Sequence, residues 1–434
     1  MALGLASEGK PSKFDVLGKV PVNFVTKKDV QTNFLEFEEK KLQPLVSQQP
    51  AALLRLGFNA RDPDWKGYRD WCVTPKLQHL SMKMNGLGHL EEVEKGKEMK
   101  LGEFLDKNSS LDKIKDEEVF GVQDLSVLYV NDIHLTDDLV RKGDMWSLFG
   151  DLGLGELGEV SGVSTPWGYA GTKGSTFPVH LEDSDLGSIN HLMDGKPKIW
   201  FVVHPNSRDN FVTGLRKLYS KEFLECRQYH RHKNLYIDPV KVQEVMGIPV
   251  YKIVQRPGDM VVTWPGTFHW GYNAGLNASM AVNYCPKGDL AREIITSARQ
   301  CSPSCKMGST IFLPVHQLFA KKAFPCKVEG CPSKGYITPQ GLVDHMWVEH
   351  KTKLKVGDIG AVACPQCGKE VKKLADHLKT HKSVGGSCNL CGEVVGDRKK
   401  HWLQGCKTCL FCKNNGISKT FIQRKLALVH FAHV

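Results

Sequence analysis

FPVHLEDSDLGSINHLMDGKPKIW, Phe177 to Trp200, is the stretch from which the fold is read. His180 and Glu182 stand two residues apart in it, so on a strand both side chains point to one face. An H-x-E pair alone is a common accident, and a metal would need a third ligand from elsewhere. His269, in WPGTFHWGYN, suits that role. A strand-like run, MVVTW, and a Pro-Gly turn precede it and would bring it back across a barrel. Two histidines and one carboxylate on one face leave neighbouring coordination positions open, the arrangement by which non-haem Fe(II) binds a bidentate oxo-acid and oxygen together.

Composition sets the frame around this segment. A chain of 434 residues, 41% of them hydrophobic, has room for two or three domains and a sizeable core. No charged-then-apolar leader and no run of about 18 apolar residues is visible, so a soluble, intracellular protein without a membrane span is expected. Most of the 14 cysteines fall in C-x2-C or Cys/His clusters, which reads as zinc rather than disulfides. The net charge of +11 is unevenly placed: from Lys321 onward there are 20 Lys/Arg against 8 Asp/Glu, and before it 38 against 39. The excess positive charge thus coincides with the cysteine-rich tail, which points to an anionic partner such as DNA.

The core segment resembles the iron-binding segment of the JmjC (jumonji) 2-oxoglutarate-dependent oxygenases, in which H-x-E-D-x-D, S-I-N and G-x-P-K-x-W recur in this order. The resemblance covers about residues 60 to 305. It implies that His180, Glu182 and His269 hold Fe(II), that Asn190 and Lys198 hold the cosubstrate 2-oxoglutarate, and that Phe177 and Trp200 line its pocket. The chemistry agrees, because the far carboxylate of 2-oxoglutarate needs a cation to replace its water and a lysine at a strand end supplies one. Tyr169, in TPWGYAG, matches a family tyrosine at the mouth of the methyl-lysine pocket; as a residue type it is equally an ordinary strand aromatic. One departure stands out. About ten residues past Tyr129 the similar demethylases carry a tyrosine that shares the cosubstrate carboxylate, and this chain has TDDLV around Asp138.

Outward from the core segment, the runs PKIWFVVHP, VYKIVQ, DMVVTW and ASMAVNY, broken by PGD, PGT and NAG turns, predict short strands. DPVKVQEVMG and MKLGEFLDKNSS predict helices, and a further helix is expected near Val30 to Leu45. The expected class is α+β: a double-stranded β-helix, the cupin-like jelly roll, with flanking helices and then small zinc-finger modules. Residues 1–58 form an N-terminal region weakly similar to the JmjN segment, and the PDW at Trp65 is expected in a helix packed on the barrel. Residues 59–310 form the catalytic domain, 311–323 a linker, and 324–434 the tandem fingers. GLGELG at Gly153 to Gly158 matches G-x-G-x-x-G, but it lacks the preceding strand and following helix of a dinucleotide site and reads as a loop. His204, before Pro205, has no partner spacing and reads as structural.

Cys226 and His232 have a spacing that the resemblance associates with a structural zinc beside the substrate groove. Cys301 and Cys305 would complete it, spaced C-x3-C where the family has C-x-C. In the tail, Cys326, Cys331, His345 and His350 have finger spacing, with Tyr336 and Leu342 at the small apolar core positions. Cys364, Cys367, His377 and His381 follow with a shortened loop, and Cys388, Cys391, His401 and Cys406 repeat the same C-x2-C-x9-H pattern. Cys409, Cys412, His430 and His433 would make a fourth module. Zn(II) in such modules supplies folding free energy rather than catalysis. The resemblance therefore implies an Fe(II)- and 2-oxoglutarate-dependent histone lysine demethylase acting on a methylated histone tail, directed to chromatin in the nucleus by zinc fingers. A protein hydroxylase on the same fold and a catalytically inactive zinc-finger protein that binds chromatin or DNA are the alternatives.

Overall fold

The computed structural model describes residues 13–58, 64–65, 67–108, 124–141 and 145–298, and in the C-terminal part residues 313, 315, 318, 328 and 339–353 with two short strand pairs. The chain divides into two compact units, Met1–Leu313 and Pro314–Val434.

The first unit is built on one large, mostly antiparallel sheet. Its strands are β1 (Gly18–Lys19), β2 (Val22–Val25), β3 (Ala51–Leu56), β4 (Lys76–Met82), β5 (Leu87–Lys95), β6 (Asp124–His134), β7 (Trp167–Gly171) and β8 (Thr176–His180). They continue with β9 (Gly187–Gly195), β10 (Lys198–Val203), β11 (Leu235–Ile237), β12 (Val250–Gln255), β13 (Met260–Thr263), β14 (Phe268–Asn273) and β15 (Asn277–Tyr284). The order across the sheet is β1-β12-β10-β14-β8-β11-β5-β4-β6-β7-β15-β9-β13-β3-β2. Within it lie two four-stranded antiparallel runs, β12-β10-β14-β8 and β7-β15-β9-β13. From β7 to β10, and again from β12 to β15, the chain alternates between the two runs, so consecutive strands are not neighbours. With its flanking helices this arrangement fits a cupin-like α+β fold.

The alternation has an apolar cause. β10 is KIWFVV and β14 is FHWGYN, and every residue of both is buried, as expected of strands covered on both faces. Trp270, Tyr272, Phe201 and Phe268 pack there with Phe211 of helix α2 (Arg208–Leu218). A second cluster, with Trp264, Tyr284, Ile189 and Met280, fills the other run. Gly271 in β14 is required by close approach, since a Cβ there would lie 2.0 Å from the Ile199 carbonyl oxygen.

Helices form where capping chemistry agrees with composition. Helix α4 (Pro239–Met246) starts with Asp238 accepting from the Val240 N–H and Pro239 at its first turn, and it ends on Gly247 in the left-handed region. MKLGEFLDKNSS yields helix α1 over Leu101–Asn108, with Met99–Lys100 before it in a two-residue strand. The single helix expected from Val30 to Leu45 is instead a succession of short pieces: Lys27–Val30, Phe34–Phe37, a π-helical Glu38–Leu42 and a 3-10 turn at Gln43–Leu45. Asn33 accounts for the break, because its extended backbone and side-chain bond to the Leu35 N–H start a new helix. Asp64 and Trp65 are not helical either: they pair as a two-residue strand with Val140–Arg141. The GLGELG stretch is a loop with one 3-10 turn at Gly155–Leu157, as its flanks require. His204 is structural: its Nε2 meets the Val46 carbonyl at 2.7 Å and its Nδ1 accepts from the Asn206 N–H.

The second unit holds helix α6 (Pro339–Val348), with Leu342 and Met346 buried, counting α3 as Ser220–Glu225 and α5 as Asp289–Thr296. Two short antiparallel pairs, Val362–Ala363 with Glu370–Val371 and Gly386–Ser387 with Val394–Val395, flank the Cys364/Cys367 and Cys388/Cys391 positions at the same sequence offset. No described helix is long and apolar enough to cross a membrane.

Residues 18–56 are integral to the sheet: β3 pairs with β13, its Ala51, Ala52, Leu53 and Leu54 are buried, and Arg55 makes a bidentate pair with Asp259 at 2.7 Å. Deleting residues 1–58 removes β3 and exposes the apolar groups it covers, among them Val261, Val262 and Ile253, at roughly 25 cal/mol per Å², and it strips the Asp259 carboxylate of Arg55. The melting temperature should fall by about 10 °C or more; thermal denaturation of the truncated protein checks this, and an unchanged midpoint would show that the region is dispensable.

Candidate active site

β8 and β14 are antiparallel neighbours, and His180 and His269 are direct cross-strand partners, with a bulge between Phe177 and His180. Their rings sit 4.1 Å apart between centroids. The Nδ1–H of His180 donates to the Pro178 carbonyl at 2.7 Å, and that of His269 donates to the Thr267 carbonyl at 3.0 Å. Each bond fixes the tautomer in which Nε2 is bare, so both imidazoles offer a lone pair to the same point. Glu182 joins them, with its Oε1 3.4 Å from His269 Nε2. The ligand atoms of His180, Glu182 and His269 lie within 4.8 Å of one another, the one such group found among the described residues.

Electrostatics keep the group in the form a divalent cation needs. Burial, with His269 beside it, pushes the His180 imidazole down to about 3, so it is neutral at physiological pH. Burial pushes the Glu182 carboxyl up, but its contacts with His269, His180 and the Lys233 ammonium outweigh it and the carboxyl stays below its ordinary value.

The turn after Glu182 is held from outside. Ser184 and Asp185 both have positive φ, 52° and 58°, a conformation that persists only where surroundings enforce it. The Asp185 carboxylate is fully buried between Arg208 and Arg231, at 2.5 and 2.7 Å. Gly266 donates its backbone N–H to the Asp185 carbonyl, which ties the turn to the loop that leads to His269.

A cavity of about 290 Å³ opens beside the three ligands. It is lined by Phe177, Asn190, Lys198 and Trp200, the four residues expected around the cosubstrate, and also by Tyr169. Phe177 and Trp200 meet edge to face at 4.7 Å, and Trp200 lies 5.7 Å from the His269 ring. Lys198 Nζ sits 5.3 Å from the Phe177 centroid and pairs with no carboxylate among the described residues. Burial pushes it down to about 8. Tyr169 is also pushed up by burial and by Glu182.

Asp138 sits on an exposed turn and accepts from the Thr136 hydroxyl, away from the cavity lining. Several lining residues had no signal in the sequence. Lys233 has a positive φ of 53°, lies 3.8 Å from Asp183 and is raised chiefly by that charge. Ser188 hydrogen-bonds Thr263, and Trp167 donates to Ser161. A larger hollow of about 390 Å³, beside Glu38, Trp264 and Leu290, holds no three-ligand cluster among the described residues.

Of the expected zinc ligands, Cys226 and His232 are both buried and are joined by a turn in which Tyr229 donates to the Cys226 carbonyl and His232 to that of Tyr229. Cys301 and Cys305 lie outside the described residues. In the tail, His345 and His350 bring their Nε2 atoms to 3.1 Å. Cys326, Cys331, Cys364, Cys367, His377, His381, Cys388, Cys391, His401, Cys406, Cys409, Cys412, His430 and His433 lie outside the described residues.

Residues 167–284 match the family model described as "JmjC domain, hydroxylase". The chain is 38% identical over 125 residues to the human (Homo sapiens) probable lysine-specific demethylase 4F, which covers 29% of this chain and 19% of that protein. Lysine-specific demethylase 4D of Rattus norvegicus is 37% identical over 125 residues, 29% of this chain and 24% of its own length. Lysine-specific demethylase rbr-2 of Caenorhabditis briggsae is 34% identical over 259 residues, 58% of this chain and 17% of that protein. The chain thus spans about a quarter or less of the length of each relative.

Lys198 has a direct consequence for stability. Its folded value of about 8 lies below the ordinary 10.5, so the unfolded chain binds the extra proton and the folded state carries a penalty at neutral pH. That penalty is present below pH 8 and fades as pH rises through 10.5. Each tenfold loss of proton affinity corresponds to about 1.36 kcal/mol, so Lys198→Met should stabilise the metal-free protein at pH 7 by about 3 kcal/mol, with the gain shrinking between pH 8 and 10.5. Denaturant melts at pH 7 and pH 10 check the sign; equal gains at both would remove the charge as the cause.

Proposed function

We propose that residues 59–310 form a non-haem Fe(II)- and 2-oxoglutarate-dependent oxygenase on a double-stranded β-helix, which removes methyl groups from histone lysine by oxidative demethylation. The observation that carries this reading is the convergence of His180, Glu182 and His269, with both imidazole Nδ1 atoms committed to carbonyls. The donor set fits the metal: two neutral nitrogens and one carboxylate, arranged to leave positions open. The cavity fits the cosubstrate: a buried lysine without a carboxylate partner among the described residues lies among aromatic walls beside the triad.

His180, Glu182 and His269 would hold the iron, which with 2-oxoglutarate and oxygen supplies the oxidation of a methyl C–H bond. Lys198 and Asn190 bind the anionic cosubstrate and orient it, and Phe177 and Trp200 cover its carbon chain and exclude water. Tyr169 and Lys233 line the same cavity and would face a methyl-lysine side chain entering it. The hydroxylated methyl group then leaves the lysine nitrogen as formaldehyde.

Cys226 and His232, with Cys301 and Cys305, would form a structural zinc site beside the groove. The basic tail would carry tandem zinc fingers, beginning with Cys326, Cys331, His345 and His350, that direct the enzyme to chromatin in the nucleus. The 3.1 Å approach of His345 and His350 supports the first of these modules. A protein hydroxylase is the second reading, and the description of the matched family favours keeping it.

With Fe(II), 2-oxoglutarate, oxygen and a panel of methylated histone peptides, the purified protein should release succinate and formaldehyde, both abolished in His180→Ala. Succinate with an oxygen added to the peptide and no formaldehyde would instead establish the hydroxylase. Neither product from metal-loaded protein would leave a non-catalytic zinc-finger protein, for which the absent tyrosine near Asp138 would then account. The tail should bind DNA with an affinity that falls about tenfold or more between 50 and 200 mM salt; undetectable or salt-insensitive binding in a titration would assign it to protein contacts.

A further inference from the structure

Gln255, the last residue of β12, is completely buried. It faces the cavity residues across two strands, since it pairs with Lys198 in register and its amide reaches both Trp200 and Asn190. The direction of each hydrogen bond follows from the chemistry of its partners. The Trp200 indole N–H can only donate, and it lies 2.8 Å from Gln255 Oε1. Backbone carbonyls can only accept, and those of Asn190 and Asp259 lie 3.0 and 3.1 Å from Gln255 Nε2. Both ends of the Gln255 amide are therefore fixed independently.

The remaining contact settles a second amide. Gln255 Nε2 has two N–H groups for three acceptors, so the one directed at Asn190 is shared between its carbonyl at 3.0 Å and its side chain at 3.1 Å; an amide nitrogen cannot accept, so the Asn190 side-chain atom facing it is Oδ1. Asn190 Nδ2 is then turned away from Gln255, and Asn190 lines the cavity. The arrangement is buttressed behind, because Asp259, whose carbonyl takes one Gln255 N–H, is clamped by Arg55 at 2.7 Å through both carboxylate oxygens.

We infer that Gln255 is a positioning residue: anchored by Trp200, it sets the Asn190 carboxamide so that the cavity is offered N–H donors beside the Lys198 ammonium, and so selects an anionic, acceptor-only ligand. The inference rests on the reading of this cavity as the 2-oxoglutarate site and deepens it. Trp200 thereby has two tasks, as a wall of the cavity and as the donor that orients an amide two links away. A carboxylate at position 255 would still accept from Trp200 but would have no N–H for Asn190. The Asn190 amide would rotate to give its own N–H to the new carboxylate and turn its oxygen on the ligand.

The test uses the full chain loaded with Fe(II) under anaerobic conditions, so that no turnover intervenes, with calorimetric titration of 2-oxoglutarate at pH 8. Gln255→Glu should weaken 2-oxoglutarate binding about 10- to 100-fold. Metal affinity should stay within about twofold, since no ligand contact changes. In turnover the loss should appear in KM rather than in kcat at saturating cosubstrate, a split that general loss of structure would not give. Asn190→Asp keeps the bond from Gln255 and replaces the donor with a negative oxygen, so it should show the same loss, and it decides the matter if Gln255→Glu does not fold. Undiminished 2-oxoglutarate affinity in a folded Gln255→Glu or in Asn190→Asp would overturn the relay and leave the cosubstrate reading standing. Absence of 2-oxoglutarate binding by the unaltered protein would overturn both.

Discussion

The pairing of β8 with β14 is the constraint on which the site depends. In an antiparallel ladder the register decides which side chains face one another, and here it sets His180 opposite His269. A slip of one residue would turn one histidine to the far face and leave Glu182 with a single imidazole. The register is secured on the other side of β14 as well, where β10 pairs along its whole length through buried, bulky residues. Two fully buried strands thus support the residues that must be held to a fraction of an ångström.

Around that pair, several polar groups are held by partners whose hydrogen-bonding roles cannot change. Backbone carbonyls fix the two imidazole tautomers, an indole fixes an amide, and two arginines hold the turn at Asp185. Lys198 is the exception. It is buried without a carboxylate partner among the described residues, at a cost in stability, which is the mark of a group arranged for a ligand rather than for the fold.

What could be read in the sequence was whatever is local. His180 and Glu182 share a strand face by their spacing alone, and the Asp238, Pro239 and Gly247 signals bracket a helix without tertiary help. His269 needed a resemblance as well as a turn pattern, because nothing near it in sequence reveals its cross-strand partner. Gln255 and Lys233 acquire their roles only when distant strands and turns meet, and as letters they are an ordinary glutamine and lysine; Asp185 closes the H-x-E-D-x-D motif, but its two arginine partners are visible only in the fold. The helix expected at Val30 to Leu45 failed for a local reason that composition understates: Asn33 caps a new start more effectively than the surrounding residues continue the old helix. Asp64 and Trp65 were drawn into a strand by Val140–Arg141, a partner more than seventy residues away.

The alternation of the chain between the two runs also governs when the protein can first become itself. Strands that touch in space are far apart along the chain, and β8 must wait about ninety residues for β14 to arrive. Such long-range pairing makes folding slow compared with helical proteins of the same size. On the ribosome, a nascent chain that has already exposed His180 and Glu182 holds only two of the three ligands and cannot yet grip a metal firmly. The three-residue cluster is therefore complete only once β14 has been made and has paired with β8, a condition that the local sequence around His180 does nothing to reveal.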